Sequence, residues 1–264
     1  MRLFQNRRTW VFPYVLFLAV LVLLPLVLIA IYAFTDSAGH FTMWNFIQFF
    51  HKQEAVNTFI YSIAIALITT LICLLLGYPA AYIMALRSFR TPAVMAMLFI
   101  LPMWINFLLR TIATVELFHM FNLPLGEGAL LFGMVYDFLP FMIYPIFNTL
   151  QKMDVSLLEA AHDLGANRIK TFIKVVLPLS APGIYSGIVM VFMPTVSTFA
   201  ISELLTHNKI TLFGSLIQRS FGEGGTTMWN YGAALSLIML VIIALTSFFG
   251  QGDSDVDNQK AGLI

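Results

Sequence analysis

Few residues in this chain are able to do chemistry, and most of them sit at the ends of long apolar runs. Asp137 is the exception, the one charged residue inside the run from Ala129 to Leu150. An ionised carboxylate in an apolar medium is costly and marks a functional position by default. Three roles are open to it: contact with a cationic ligand, an ion pair with Arg110, or capping of a segment kinked near Pro140. Glu203 closes a later apolar run and Glu116 lies just beyond an earlier one. Trp104 and Tyr136 add aromatic faces, which attract cations, although most such rings face lipid or other helices. Arg110 has the opposite sign. It serves as an outer gate, as the partner of an acid, or as a charge that snorkels to an interface.

Other chemistries find no residues here. The single cysteine, Cys73, lies in an apolar run and forms neither an intrachain disulfide nor a thiolate metal site. None of the five histidines (His40, His51, His119, His162, His207) falls in a His-Glu-x-x-His spacing. There is no Gly-x-Ser-x-Gly elbow and no Gly-x-x-x-x-Gly-Lys-Ser/Thr phosphate loop. The glycines at Gly222, Gly224 and Gly225 lack the preceding strand and the lysine such a loop needs. No basic cluster with interleaved aromatics points to nucleic acid.

The elements that must position these groups follow from composition. Of 264 residues, 59% are hydrophobic and 10% charged, against roughly 25% charged in soluble domains. Mean hydropathy is +0.87. A membrane-spanning helix needs about 20 mostly apolar residues, and six runs meet this: 11–34, 59–86, 91–112, 129–150, 178–203 and 228–250. The fold class is therefore an all-α integral membrane protein of about six spans. Prolines interrupt several runs, which membrane helices tolerate. Arg2, Arg7 and Arg8 precede the first run, but that run is too long for a signal-peptide core, so it reads as a retained helix. With the N-terminus inside, ten Lys and Arg fall on inner segments and four on outer ones, which places both termini in the cytosol. The outer segments are 35–57, whose Trp44/Phe46/Phe49/Phe50 stretch suits the membrane surface, and 206–227.

The inner segment 151–177 has the sharpest local pattern. Ser156 and Glu159 are spaced as a capping box, Leu157, Leu158, Ala161 and Leu164 form a helical apolar stripe, Gly165 suits a helix stop, and Asn167 suits the cap of a second helix. A short helix with an uncovered apolar face suggests a docking surface.

The order Glu159-Ala160-Ala161, three residues, Gly165, nine residues, Val175, one residue, Leu177-Pro178 resembles the EAA loop of ABC-importer permeases, with Val175 where isoleucine is commoner. The segments Leu76–Tyr82, Leu101–Asn106 with Arg110, and Val135–Met142 resemble the polyamine branch of that family, over most of the chain. The resemblance implies a type I ABC-importer permease fold as a single transmembrane domain, in the cell's inner membrane. It implies three kinds of protein partner: a second, homologous permease in a heterodimer, two copies of an ABC ATPase that uses ATP and Mg, and an external polyamine-binding protein. The chain itself would be no enzyme and would bind no cofactor. Glu159, Ala160, Ala161, His162, Asp163, Gly165 and Pro178 would couple it to the ATPase. Spermidine or putrescine would be the cargo, with Asp137, Glu203, Trp104, Tyr136 and Arg110 along its path. Permeases for ferric iron, opines and sulfate share the scaffold and supply the alternative cargo.

Overall fold

Where water is absent, each backbone N–H and C=O must be satisfied within its own segment, and long apolar runs therefore fold as helices. The computed structural model describes residues 7–85, 97, 99, 101–222 and 225–251. Its helices are α1 (Arg7–Ala33), α2 (Trp44–His51), α3 (Gln53–Ala85), α4 (Phe107–Met120), α5 (Glu127–Gln151), α6 (Ser156–Asp163), α7 (Arg168–Ser197), α8 (Ala200–Thr206), α9 (Phe213–Gly222) and α10 (Gly225–Gln251). Among the described residues there is no strand beyond one isolated bridge, Thr35 to Phe41. Five helices are long and apolar enough to cross a membrane: those holding Pro13–Ala33, Gln53–Ala85, Glu127–Gln151, Arg168–Ser197 and Met228–Ser247.

The first half of the expected third span, 91–112, and the charges Arg2, Arg87, Arg90 and Lys260 lie largely or wholly outside the described residues. The second half of that span is not one helix. A 3₁₀ turn, Leu101–Trp104, gives way to α4, which Asn106 caps by accepting from the Leu108 N–H at 2.8 Å. The expected fifth span, 178–203, falls on two helices. Helix α7 starts ten residues earlier, at Arg168, and stops at Ser197, where Thr198 is extended; Glu203 is on a separate helix. No charge or glycine marks the break, and the Ser197-Thr198 pair where it falls is too weak a signal to stop a helix by itself.

The chain forms two compact units, 1–56 with 216–242, and 57–215 with 243–264. In the larger unit, α5 and α7 make the most extensive contact. Its cause is a Gly183-x-x-x-Gly187 spacing, the small-residue pattern that lets membrane helices approach closely. A Cβ on Gly183 would lie 2.6 Å from the Thr149 hydroxyl and 2.9 Å from the Pro145 carbonyl oxygen. One on Gly187 would lie 2.7 Å from the Met142 sulfur. Two apolar clusters flank this contact. One gathers Cys73, Ala81, Met142, Ile146 and Val191, and the other Ile65, Leu130, Met134, Ile201 and Leu205.

In the smaller unit, α1 exposes its whole apolar window, and its C-terminal carbonyls are held by two amides. Asn230 donates to the carbonyls of Thr35 (2.7 Å) and Tyr32 (3.0 Å), and Asn45 to those of Ala33 (2.9 Å) and Thr35 (3.0 Å). Last-turn carbonyls have no partner within their own helix, so these amides replace water where Ala33, Ala233 and Ala234 pack without solvent. Helix α2 exposes Trp44, Ile47 and Phe50. In the loop before it, Asp36 accepts from the N–H groups of His40 and Ala38, which hold its carboxyl below the usual carboxylate range.

Candidate functional site

Two interrupted helices make a cavity. Where the 3₁₀ turn yields to α4 and where α7 stops before α8, side chains cannot fill the helix interface. A space of about 650 Å³ remains, bordered by Trp104, Asn106, Arg110, Phe138, Phe141, Ser197 and Phe199 among others. The turn at Ser197–Thr198 is held by close backbone approach: a Cβ on Gly214 would collide with the carbonyl oxygens of Ser197 and Thr198.

Arg110 comes from the first turns of α4 and Asp137 from the middle of α5, and both are buried, at 6% and 1% exposure. The arginine Nε stands 3.3 Å from Asp137 Oδ1. The contact is an ion pair without hydrogen-bond alignment: Arg110 Nε, Arg110 Nη1 and Asp137 Oδ1 are buried with no hydrogen-bond partner among the described residues. The other carboxylate oxygen, Oδ2, accepts from the Thr111 hydroxyl at 3.1 Å. The guanidinium carbon lies 5.9 Å from the Tyr136 ring centre, at the outer limit of cation–π attraction. Removing one partner of a buried ion pair costs about 3–5 kcal/mol, because the other charge is left bare.

Of the expected path residues, the structure brings Arg110, Asp137 and Tyr136 into one cluster and puts Trp104, which is 78% exposed, on the cavity wall with Arg110. Of the three roles open to Asp137, the pair with Arg110 is formed. Asp137 and Tyr136 touch the cavity only through Arg110 and are not themselves among its lining residues, and Glu203 stands apart from both, half-buried on α8. Sequence reading missed Thr111, Asn106, Phe138, Phe141, Ser197 and Phe199. Asn106, a cap-forming residue inside an apolar run, was the available signal for a helix start and hence for the cavity.

The second candidate is the segment around α6. The expected capping box is not formed: Val155 occupies the cap position with helical angles, and Asp154 takes the role by accepting from the Ser156 N–H at 3.0 Å. That bond holds the Asp154 carboxyl below its ordinary value. The cap is therefore present above the unfolded carboxylate range and lost as pH falls through the lowered folded value. At the other end, Gly165 at φ +75° closes a Schellman motif. Its N–H bonds to His162 O (2.9 Å) and the Ala166 N–H to Ala161 O (3.0 Å). Asn167 caps α7 through the Lys170 N–H at 2.8 Å. Glu159, Ala160, His162, Asp163, Gly165 and Pro178 are exposed, Ala161 is half-buried, and Leu157, Leu164 and Ile169 present uncovered apolar surface. Leu158 instead packs inward, against the Met142 cluster.

Between α6 and the bundle, α7 contains a π-helical turn, Phe172–Val176, in which the Leu177 N–H reaches Phe172 O. Pro178 accounts for it. Proline has no N–H for the carbonyl four residues back, and its ring pushes that carbonyl aside. Phe172 packs edge-on against Tyr78 (5.8 Å) and Tyr82 (5.3 Å) of α3. The Tyr78 hydroxyl is 2.9 Å from the Ser180 hydroxyl, which itself donates to Leu177 O, so Tyr78 is the donor. Tyr78→Phe is expected to lower stability by about 1 kcal/mol, read as a fall of a few degrees in the melting midpoint of the purified protein. An unchanged midpoint would mean that this bond does not hold α3 to α7.

Comparison with known proteins agrees on both the fold and the family. The family model described as "Binding-protein-dependent transport system inner membrane component" matches residues 77–251. The chain is 34% identical over 221 residues to the spermidine/putrescine transport system permease protein PotB of Escherichia coli (strain K12), covering 77% of this chain and 80% of that one. It is 32% identical over 249 residues to PotB of Haemophilus influenzae, covering 88% and 84%. Among solved structures, a bacterial ABC transporter involved in the import of the acidic polysaccharide alginate superposes with a TM-score of 0.65 at 17% identity, over 95% of this chain and 99% of that one. With its helical fold shared by that transporter and its sequence matched by the family model over most of its length, the chain belongs to the binding-protein-dependent transport system inner membrane components.

Proposed function

We propose that the chain is a permease subunit of an ABC importer for polyamines, spermidine or putrescine. The observation that carries the cargo is the 34% identity to the E. coli spermidine/putrescine permease over most of both chains. The buried carboxylate of Asp137 and the aromatic side chains around the cavity support it, because a polyamine is a flexible chain of ammonium groups with apolar spacers. On this reading the chain lies in the inner membrane with both termini cytosolic and forms half of the path, a second permease forming the rest. An external binding protein delivers cargo, and two ATPase subunits hydrolyse ATP with Mg. The exposed apolar face of α6 docks on the ATPase, and the continuity of α7 from Arg168 to Ser197 carries that movement to the cavity. Glu159, Ala160, Ala161, His162, Asp163, Gly165 and Pro178 form the coupling segment. Asp137, Arg110, Trp104 and Tyr136 line or flank the path. Glu203, outside the cavity lining, has its place further along.

A second reading has its own observation: the buried guanidinium of Arg110 at the cavity suits an anionic solute such as sulfate. ATP-dependent uptake of labelled spermidine into vesicles carrying the whole assembly, with putrescine, ferric iron and sulfate as competitors, separates the two. The polyamine reading expects uptake reduced by putrescine and untouched by the others. Uptake of sulfate or iron without spermidine would overturn it.

A further inference from the structure

The polyamine reading leaves a physical problem, which is what neutralises Asp137 between transport events. A bare carboxylate inside an apolar bundle is expensive, and Asp137 is only 1% exposed. The one ion pair it makes among the described residues is with Arg110. That pair does not look built to be permanent. A structural arginine–carboxylate pair is normally bidentate, with its remaining donors satisfied. Here one nitrogen approaches one oxygen at 3.3 Å without alignment, and Nη1 is buried and unpartnered among the described residues. The two carboxylate oxygens also differ. Oδ2 is fixed by Thr111, whereas Oδ1, which faces the arginine, accepts no hydrogen bond. Arg110 borders the cavity and Asp137 does not, so the carboxylate is reached only past Arg110, with Asn106 and Trp104 on the same wall to receive a displaced guanidinium.

We infer that Arg110 is a tethered stand-in for the cargo's ammonium group: it neutralises Asp137 while the cavity holds no cargo, and it exchanges with an ammonium of the cargo at Oδ1. This rests on the polyamine reading. The exchange replaces one positive charge by another, so Asp137 is neutralised before and after it. The displaced guanidinium then shares the cavity with a polycation, and their repulsion favours return of the arginine and onward movement of the cargo. Arg110 is thus a positioning residue that keeps cargo binding weak enough for release.

The test is a double-mutant cycle in the complete importer, reading both equilibrium retention of labelled spermidine by the purified assembly and its uptake into proteoliposomes. Arg110→Gln is expected to raise retention about tenfold and to slow uptake, since the competitor is gone but the seat remains. Asp137→Asn is expected to abolish retention and cut uptake about tenfold or more. The double variant is expected to behave like Asp137→Asn. If the pair were merely structural, the double variant, with no bare charge, would recover wild-type uptake and Arg110→Gln would not raise retention; either result overturns the exchange. Arg110→Lys keeps a tethered cation and guards against misfolding of the glutamine variant. It is expected to retain at least about a third of wild-type uptake, and loss of uptake from a fully assembled Arg110→Lys importer would also overturn the exchange. A wild-type assembly that neither retains nor moves spermidine overturns the polyamine reading itself, and the exchange with it.

Discussion

Gly165→Asp is expected to abolish uptake, to below about a tenth of wild type, while the chain still inserts at its normal level. The structure separates the two effects. Gly165 holds φ at +75°, where a side chain is strained, but a Cβ there would meet nothing within 4 Å. The strain amounts to about 1–2 kcal/mol and falls on the last turn of a short surface helix, away from the packed bundle. What the aspartate does change is the surface beside Leu164, which is 87% exposed. A new carboxylate placed in an apolar docking face loses its hydration when the partner closes over it. Glu159→Lys is expected to act in the same way, by reversing charge on an exposed first-turn residue of α6. Uptake, membrane level by immunoblot and co-purification of the ATPase check both variants. Wild-type uptake in both would remove α6 from the coupling segment; lost uptake together with lost membrane level would show a folding defect instead.

Gly183→Val is expected to deplete the chain from the membrane. At this position the neighbours cannot yield: the added Cβ would stand 2.9 Å from a backbone carbonyl oxygen, that of Pro145, and 2.6 Å from the Thr149 hydroxyl. That hydroxyl is itself bonded to the Pro145 carbonyl at 3.0 Å, so the pair moves together or not at all. Overpacking costs about 1–3 kcal/mol where side chains adjust and more where helices must part. Membrane-integrated chain is expected to fall about tenfold, measured by immunoblot after alkaline extraction. A normal level with normal uptake would mean that the close approach of α5 and α7 is not needed for folding.

Much of this architecture was legible because it is local. Apolar runs mark the helices, and Gly165 and Asn167 mark a stop and a start through rules that involve only their near neighbours. The capping box failed for an equally local reason: Asp154, two residues before Ser156, bonds the Ser156 N–H, and the helix starts without the serine side chain. The break at Ser197–Phe199 left only the Ser197-Thr198 pair as a trace, with no charge or glycine to mark a stop, and membrane helices carry such hydroxyls without breaking. The Gly183-x-x-x-Gly187 spacing is present in the sequence, but spacing alone does not name the helix that it faces. The Arg110–Asp137 contact was one of three roles open to the acid, and choosing among them required the register of α4 against α5. The cavity required two helix breaks to be placed side by side, which no single segment encodes.

On the polyamine reading, cargo passes through the cavity bordered by Trp104, Arg110 and Ser197. The most direct test is thiol labelling of a Ser197→Cys variant in the assembled importer. Ser197 is exposed at the cavity, and the natural Cys73 is fully buried, so this chain gives little background. Spermidine delivered by its binding protein is expected to slow labelling about fivefold or more, through occupancy of the cavity. Labelling at the same rate with and without spermidine, in an assembly that transports it, would place the path outside this cavity.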